Sequence, residues 1–233
     1  MRIVEWNCRS RFAAKLPALD GLRPDVAILA EAPMANPRPD ATLTEPALSW
    51  VATGEYAFKA LAVAGFTAAV TPRPPESGSG QWSLAVDHPA GFGVLGIWSA
   101  PPEGQLWGDQ VTATLDAHAD WVRAGPVIVA GDFNIEFGGR EDRRHKTFAG
   151  LLERMDALGL VSAYHVATGA AHGDEPARTH FFRTKADAGF HIDFVLVPKV
   201  WAGSITHVEV GSYDEWVGSG FSDHVPVVVD FDL

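Results

Sequence analysis

Apolar residues in this chain fall into short runs that end in a charged or amide side chain. The first, Ile3 to Asn7, alternates as a strand does, with Ile3, Glu5 and Asn7 on one face and Val4 and Trp6 on the other. Val26 to Ala30 is continuously apolar, the pattern of a strand covered on both faces, and it finishes in Glu31. A carboxylate in that place is either solvated at a sheet rim or a ligand. Val127 to Ala130 repeats the arrangement and ends in Gly131, where the backbone can turn or approach a neighbour closely. Asp132 and Asn134 follow at i and i+2, so an extended chain projects both from one face, at the strand end where open α/β sheets bind ligands. His191 to Val197 alternates before becoming wholly apolar and sets His191 and Asp193 on a shared face.

Further strands are predicted at Trp50 to Thr53, Ala60 to Ala64, Phe66 to Thr71, Trp82 to Asp87, Gly93 to Trp98, Val161 to Val166, Thr179 to Arg183, Ile205 to Val210 and Val225 to Phe231. Helical spacing marks Phe12 to Leu22, interrupted by Pro17, and Asp109 to Val122, which carries Val111, Leu115, Ala119 and Val122. Phe148, Leu151, Leu152, Met155 and Leu158 give a third amphipathic helix, closed by Gly159 as a C-terminal cap. Proline-rich stretches at 32–44 and 72–80 read as surface loops, and no repeat of fixed period is present.

Composition narrows the class. No apolar run approaches the ~20 residues needed to cross a bilayer, so no membrane anchor is expected. The chain goes almost at once from Met1 into strand-like sequence, leaving no room for a secretory leader, and a cytoplasmic location is expected. A single cysteine, Cys8, excludes an intrachain disulfide and any multi-cysteine metal site. The formal charge of −11 argues against a protein that grips long nucleic acid through a basic stripe. It leaves room for a phosphate substrate, because carboxylates gathered around a divalent cation invert the local field.

The polar groups at the run ends form an ordered set: Trp6-Asn7, Glu31, Gly131-Asp132-Phe133-Asn134, His191-Ile192-Asp193-Phe194 and Ser222-Asp223-His224-Val225-Pro226. This set resembles the endonuclease/exonuclease/phosphatase superfamily, which includes pancreatic-type deoxyribonucleases, abasic-site endonucleases, sphingomyelinases and inositol-polyphosphate 5-phosphatases. The resemblance covers nearly the whole chain. It implies one domain over residues 1–233, built as a four-layer α/β sandwich of two stacked mixed β-sheets flanked by helices.

The same resemblance assigns roles. Glu31 is similar to the family's main metal ligand, with Asn7 and Asp223 completing or supporting the site, and oxygen donors of this kind suit Mg²⁺ or Mn²⁺. Asp132 resembles the group that orients or deprotonates water, Asn134 the amide that holds a phosphate oxygen, and His224 the imidazole on the phosphoryl group. Asp193 resembles the carboxylate that orients His224. Asn7, Thr179 and His145 are the substrate-side candidates, His145 within the basic stretch at 138–146.

Departures from the family are visible as well. Trp98-Ser99-Ala100-Pro101 stands where the deoxyribonuclease branch carries a second catalytic histidine, and Arg9 stands where the abasic-site branch usually has Asp. Glu5 occupies a position where small or hydroxyl residues are common and is read as an exposed strand residue. Trp98 and Trp107 are read as possible rim platforms for a base. His165, His172, His180 and His191 lack the spacing of a zinc helix motif, so no histidine zinc site is predicted.

The expectation is a metal-dependent phosphoesterase that hydrolyses a phosphodiester with an activated water, on nucleic acid or a small molecule, without an obligate protein partner. The alternatives are a phosphomonoesterase on a small phosphorylated molecule and a non-catalytic binding protein that keeps the fold.

Overall fold

The first apolar run forms β1 (Arg2–Asn7), and a 3₁₀ turn at Phe12–Ala14 with α1 (Leu16–Gly21) carries the chain back to β2 (Val26–Ala32), which lies parallel to β1. β3 (Ser49–Tyr56) and β4 (Lys59–Gly65) extend that sheet as an antiparallel pair. β5 (Thr71–Pro72), β6 (Ser83–His88) and β7 (Phe92–Trp98) begin a second sheet. α2 (Trp107–Ala117) and α3 (Ala119–Ala124) cross to β8 (Val127–Asp132), parallel to β7. Then come α4 (Arg143–Ala157), β9 (Leu160–Ser162), α5 (Ala163–Thr168), a small hairpin of β10 (His180–Phe181) and β11 (Gly189–Phe190), β12 (Asp193–Pro198), β13 (Ile205–Val210) and β14 (Val227–Phe231). This computed structural model describes residues 1–42, 47–56, 58–80, 82–101, 104–136 and 143–233, with backbone alone at 55–56 and 143–149.

One sheet runs β13-β14-β1-β2-β4-β3 and the other β5-β6-β7-β8-β12-β9, each with one parallel pair in its middle and antiparallel neighbours outside. The period of two sorts their side chains into three apolar layers. Ile3, Ile28, Leu61, Val94, Ile128, Val195 and Val229 fill the space between the sheets. Val129 and Leu196 face the other way, onto Val111 and Leu115 of α2 and Leu151 and Met155 of α4. Val4, Trp6 and Leu29 cover the opposite outer face with Leu19 of α1 and Trp216 of a π turn at Asp214–Gly218. Helices, sheet, sheet and helices make the four-layer sandwich that the sequence implies.

Five local expectations need correction. The predicted strand at Phe66 to Thr71 is a turn, and only Thr71–Pro72 pairs with β6. The chain doubles back so tightly at Gly65 that a Cβ there would sit 2.1 Å from the Ala68 carbonyl oxygen. Val161 to Val166 pairs only through Ser162, after which α5 begins and runs until Gly169, held at φ 68 as a left-handed cap. Thr179 to Arg183 pairs only at His180–Phe181 before a 3₁₀ turn in which Arg183 takes φ 54. Asp109 to Val122 is two helices, broken at His118 (φ −100, ψ 7), yet Val111, Leu115 and Val122 still enter one core, so a single period spans the break. Phe12 to Leu22 likewise divides into a 3₁₀ turn and α1, with Pro17 in the first turn of α1.

Candidate active site

Asp132 ends β8 and Asp193 begins β12, and the two are opposed residues of the antiparallel pair. Both lie on the inter-sheet face, two residues from Ala130 and Val195 of the central layer. Gly131 is what lets β8 reach this point: it takes φ 148, and a Cβ on it would fall 1.8 Å from the Ile97 carbonyl oxygen of β7. Thr179 fixes the other strand, its buried hydroxyl accepting the backbone N–H groups of Ile192 (3.0 Å) and Asp193 (3.1 Å).

Like charges directly opposed across a sheet repel. His224 stands between them. Its Nδ1 lies 3.0 and 2.9 Å from the two oxygens of Asp193, and its Nε2 lies 3.9 Å from Asp132 Oδ2. Asn7 Nδ2 donates to the same Asp132 oxygen at 2.9 Å, and the Asn134 backbone N–H donates to the other at 3.0 Å. The Trp6 indole donates to the His224 carbonyl at 3.1 Å. Ser222 donates to the Asn7 carbonyl at 2.7 Å and accepts the His224 N–H at 3.2 Å. Four segments far apart in sequence are thus tied into one cluster, with Asp132, Asp193 and His224 offering ligand-type atoms all within 4.8 Å of one another.

Burial and the neighbouring Asp193 push the Asp132 carboxyl up to about 7, against the pull of His224 and the two donors from Asn7 and Asn134. Burial disfavours the His224 imidazolium, but Asp193 and Asp132 outweigh it and raise this group to about 9. Glu5 corrects the sequence reading: it is fully buried on the inter-sheet face of β1, and neither carboxyl oxygen has a hydrogen-bond partner. Burial, then Asp193 and Asp132, hold it well above the usual carboxylate range.

Glu31 and Asp223 occupy the rim. The pairing of β2 with β4 shifts register between Leu29 and Ala32, and Glu31 takes φ 55 there, so a bulge re-aims its side chain. It pairs with Lys59, and Asp223 pairs with Arg9 at 3.4 Å. Asn7 Oδ1 accepts the Arg9 N–H at 3.0 Å. Lys15, drawn down by burial, feels the charges of both Asp223 and Glu31. The donor set is therefore two carboxylates and an amide oxygen, each carboxylate balanced by a side-chain cation. Hard oxygen donors calling for positive charge fit Mg²⁺ or Mn²⁺. Left-handed φ values at Arg9, Ser10, Arg11, Glu31 and Asn134 gather along this rim, where functional sites store backbone strain.

The structure brings Asn7, Asp132, Asn134, Asp193 and His224 together and sets Glu31 and Asp223 at their edge. Asn134 also donates through Nδ2 to the Ser99 carbonyl at 3.0 Å, which leaves its second amide hydrogen for a ligand. The His145 side chain and the basic stretch containing it lie outside the described residues. Trp98 is no platform, being packed on Trp82 at 4.7 Å, whereas Trp107 is exposed. Sequence reasoning missed His180, whose ring lies 4.4 Å from that of His224, and Lys59, which nothing in its strand-start position distinguishes.

The fold recurs in solved structures. A 3' phosphatase, NExo from Neisseria bound to product DNA hairpin, superposes with a TM-score of 0.73 at 20% identity, covering 100% of both chains. A 3'-5' exonuclease, NExo from Neisseria meningitidis, gives 0.73 at 19%, and an AP endonuclease from Archaeoglobus fulgidus gives 0.72 at 15%, each again covering 100% of both chains. No curated protein matches the chain. The family profile that does match spans residues 4–224, from the middle of β1 to His224, so the chain belongs to the Endonuclease/Exonuclease/phosphatase family.

Proposed function

We propose that this protein is a divalent-metal-dependent phosphoesterase that hydrolyses phosphodiester bonds of nucleic acid with water as the nucleophile. The observation that carries the reading is the line Asp193, His224, Asp132, in which one buried imidazole lies 2.9 Å from the first carboxylate and 3.9 Å from the second. Family membership supplies the class of chemistry, hydrolysis of phosphate esters. The names of the neighbours, a 3' phosphatase, a 3'-5' exonuclease and an AP endonuclease, support DNA as the substrate class. Arg9, Lys15 and Lys59 give the rim local positive charge on a chain whose total is −11.

Each side chain has a task. With its proton affinity near neutrality, Asp132 takes a proton from water as the oxygen bonds to phosphorus. His224, kept charged by Asp193, stabilises the negative charge that grows on the phosphoryl oxygens. Asn134 places its remaining amide hydrogen on one of those oxygens. Glu31, Asn7 and Asp223 would hold a divalent cation, which would supply positive charge against the phosphate ester. The ester oxygen leaves as an alcohol after gaining a proton from solvent.

A 3' phosphomonoester on DNA is the second reading, favoured by the neighbour bound to product DNA hairpin. An Mg²⁺-dependent screen over plasmid, abasic oligonucleotide, 3'-phosphorylated oligonucleotide, RNA and bis-p-nitrophenyl phosphate separates the two. Turnover of none of these, with the fold intact, would refute both.

A further inference from the structure

A second cluster, which shares no residue with the catalytic one, lies where α5 meets the segment 169–177. His165 Nε2 is 3.0 Å from Glu175 Oε1, and the His165 and His172 rings stack with centroids 3.7 Å apart. One ligand-type atom from each of the three lies within 4.8 Å of the other two. The Glu175 side chain has no exposed surface, and its Oε2 has no hydrogen-bond partner. A buried carboxylate oxygen without a donor is a costly group unless a cation meets it.

We propose that His165, His172 and Glu175 form a separate metal centre that takes a first-row transition ion such as Zn²⁺ and pins the 169–177 segment to α5. The donor chemistry selects the ion: two imidazoles and one carboxylate suit Zn²⁺, whereas Mg²⁺ and Ca²⁺ prefer oxygen alone. Zinc bound about 2.0 to 2.1 Å from its ligands sets neighbouring ligand atoms about 3.3 Å apart, so the 3.0 Å pair is already at ligand spacing. His165 Nδ1 meets Ser162 Oγ at 2.8 Å, a partner that orients a ligating imidazole through its other nitrogen.

The site also has an access path. His165, His172 and Ser162 line an open cavity of about 380 Å³. Lys199 lines it too, but its charge is matched by Asp156. Three protein ligands leave a fourth position facing this cavity for water. Burial and the neighbouring His165 push His172 down to about 4. Burial opposes the Glu175 charge, but His165 and the Gly173 N–H outweigh it and hold the group at about 2. Because 169–177 leads directly into Thr179, which holds the Asp193 strand end, the ion would anchor the segment that feeds the active site.

The test uses metal-stripped Asp132→Asn protein, in which the catalytic cluster is disabled, equilibrated with zinc chloride and desalted. Zinc per chain is then counted by mass spectrometry, with and without His172→Gln added, and circular dichroism checks folding. One equivalent in Asp132→Asn, lost when His172→Gln is added to a folded chain, is the expected result. No retained zinc, or a full equivalent that persists through His172→Gln, overturns the proposal. Should the double variant not fold, Co²⁺ in Asp132→Asn decides: intense four- or five-coordinate visible bands support the centre, and the weak spectrum of a six-coordinate oxygen site overturns it.

Discussion

The two clusters use the same side-chain types in opposite proportions. Around His224 two buried carboxyls, Asp132 and Asp193, share one imidazole, and the buried carboxyl of Glu5 adds to the crowding of acids. Around Glu175 two imidazoles share one carboxylate, which also accepts the Gly173 N–H at 2.9 Å. Asp132 is accordingly pushed up to about 7, whereas Glu175 is drawn down to about 2. Burial is common to both, so the ratio of partners to charges decides the sign. The first arrangement raises the proton affinity of a buried carboxyl towards neutral pH, and the second lowers that of its carboxylate.

Asp193→Asn tests the first arrangement hardest. It removes the partner that holds His224 in its charged form, and turnover is expected to fall by about 10³- to 10⁴-fold with the melting temperature little changed. Loss of structure instead would show that Asp193 serves the fold. Next comes the pH–rate profile, with the metal concentration saturating. Turnover rises as Asp132 loses its proton through about 7 and falls as His224 loses its own through about 9. A rate flat from pH 5 to 10 would remove both from the mechanism.

Glu175→Gln is expected to do the reverse of the active-site variants. It breaks a charge-assisted bond in a buried pair, so stability falls by about 2 kcal/mol in denaturant titration, while turnover measured far below the melting point stays within an order of magnitude. Smallest is the pH dependence of melting in the metal-free chain. Asp132, at about 7 against its ordinary 3.8, and His224, at about 9 against 6.5, bind protons more tightly when folded. Their contribution is complete below those ordinary values and is lost as pH rises through about 7 and about 9. Glu175, at about 2 against 4.5, and His172, at about 4 against 6.5, contribute above those values and lose it as pH falls. Asp132→Asn therefore flattens the alkaline limb of melting temperature against pH, and Glu175→Gln flattens the acid limb.

The contrast also explains what the sequence made legible. Asn7, Asp132, Asp193 and His224 end or adjoin apolar strands, and sheets stacked in register gather such ends at one rim. Period alone set Glu5 on the face of Ile3 and Asn7, but not which face met the other sheet. Its burial emerged only once Ile3 was found in the inter-sheet layer. The second cluster was hidden because its ligands sit on a six-residue helix and an irregular loop, where no fixed spacing brings side chains together. Val161 to Val166 illustrates the cause: the segment reads as a strand, but its pairing with β12 ends at Ser162 and the chain turns there into α5. Glu31 was legible as a strand-end carboxylate, whereas its bulge and its partner Lys59 were not.

The account rests on Asp132 acting as the proton acceptor at a phosphate ester. Its most direct test is the Mg²⁺-dependent turnover of bis-p-nitrophenyl phosphate by wild type and Asp132→Asn, with thermal melts of both at pH 8. The expected result is a loss of about 10²- to 10⁴-fold in the variant, at a melting temperature equal to or above that of wild type. Equal turnover by the two folded proteins would contradict it.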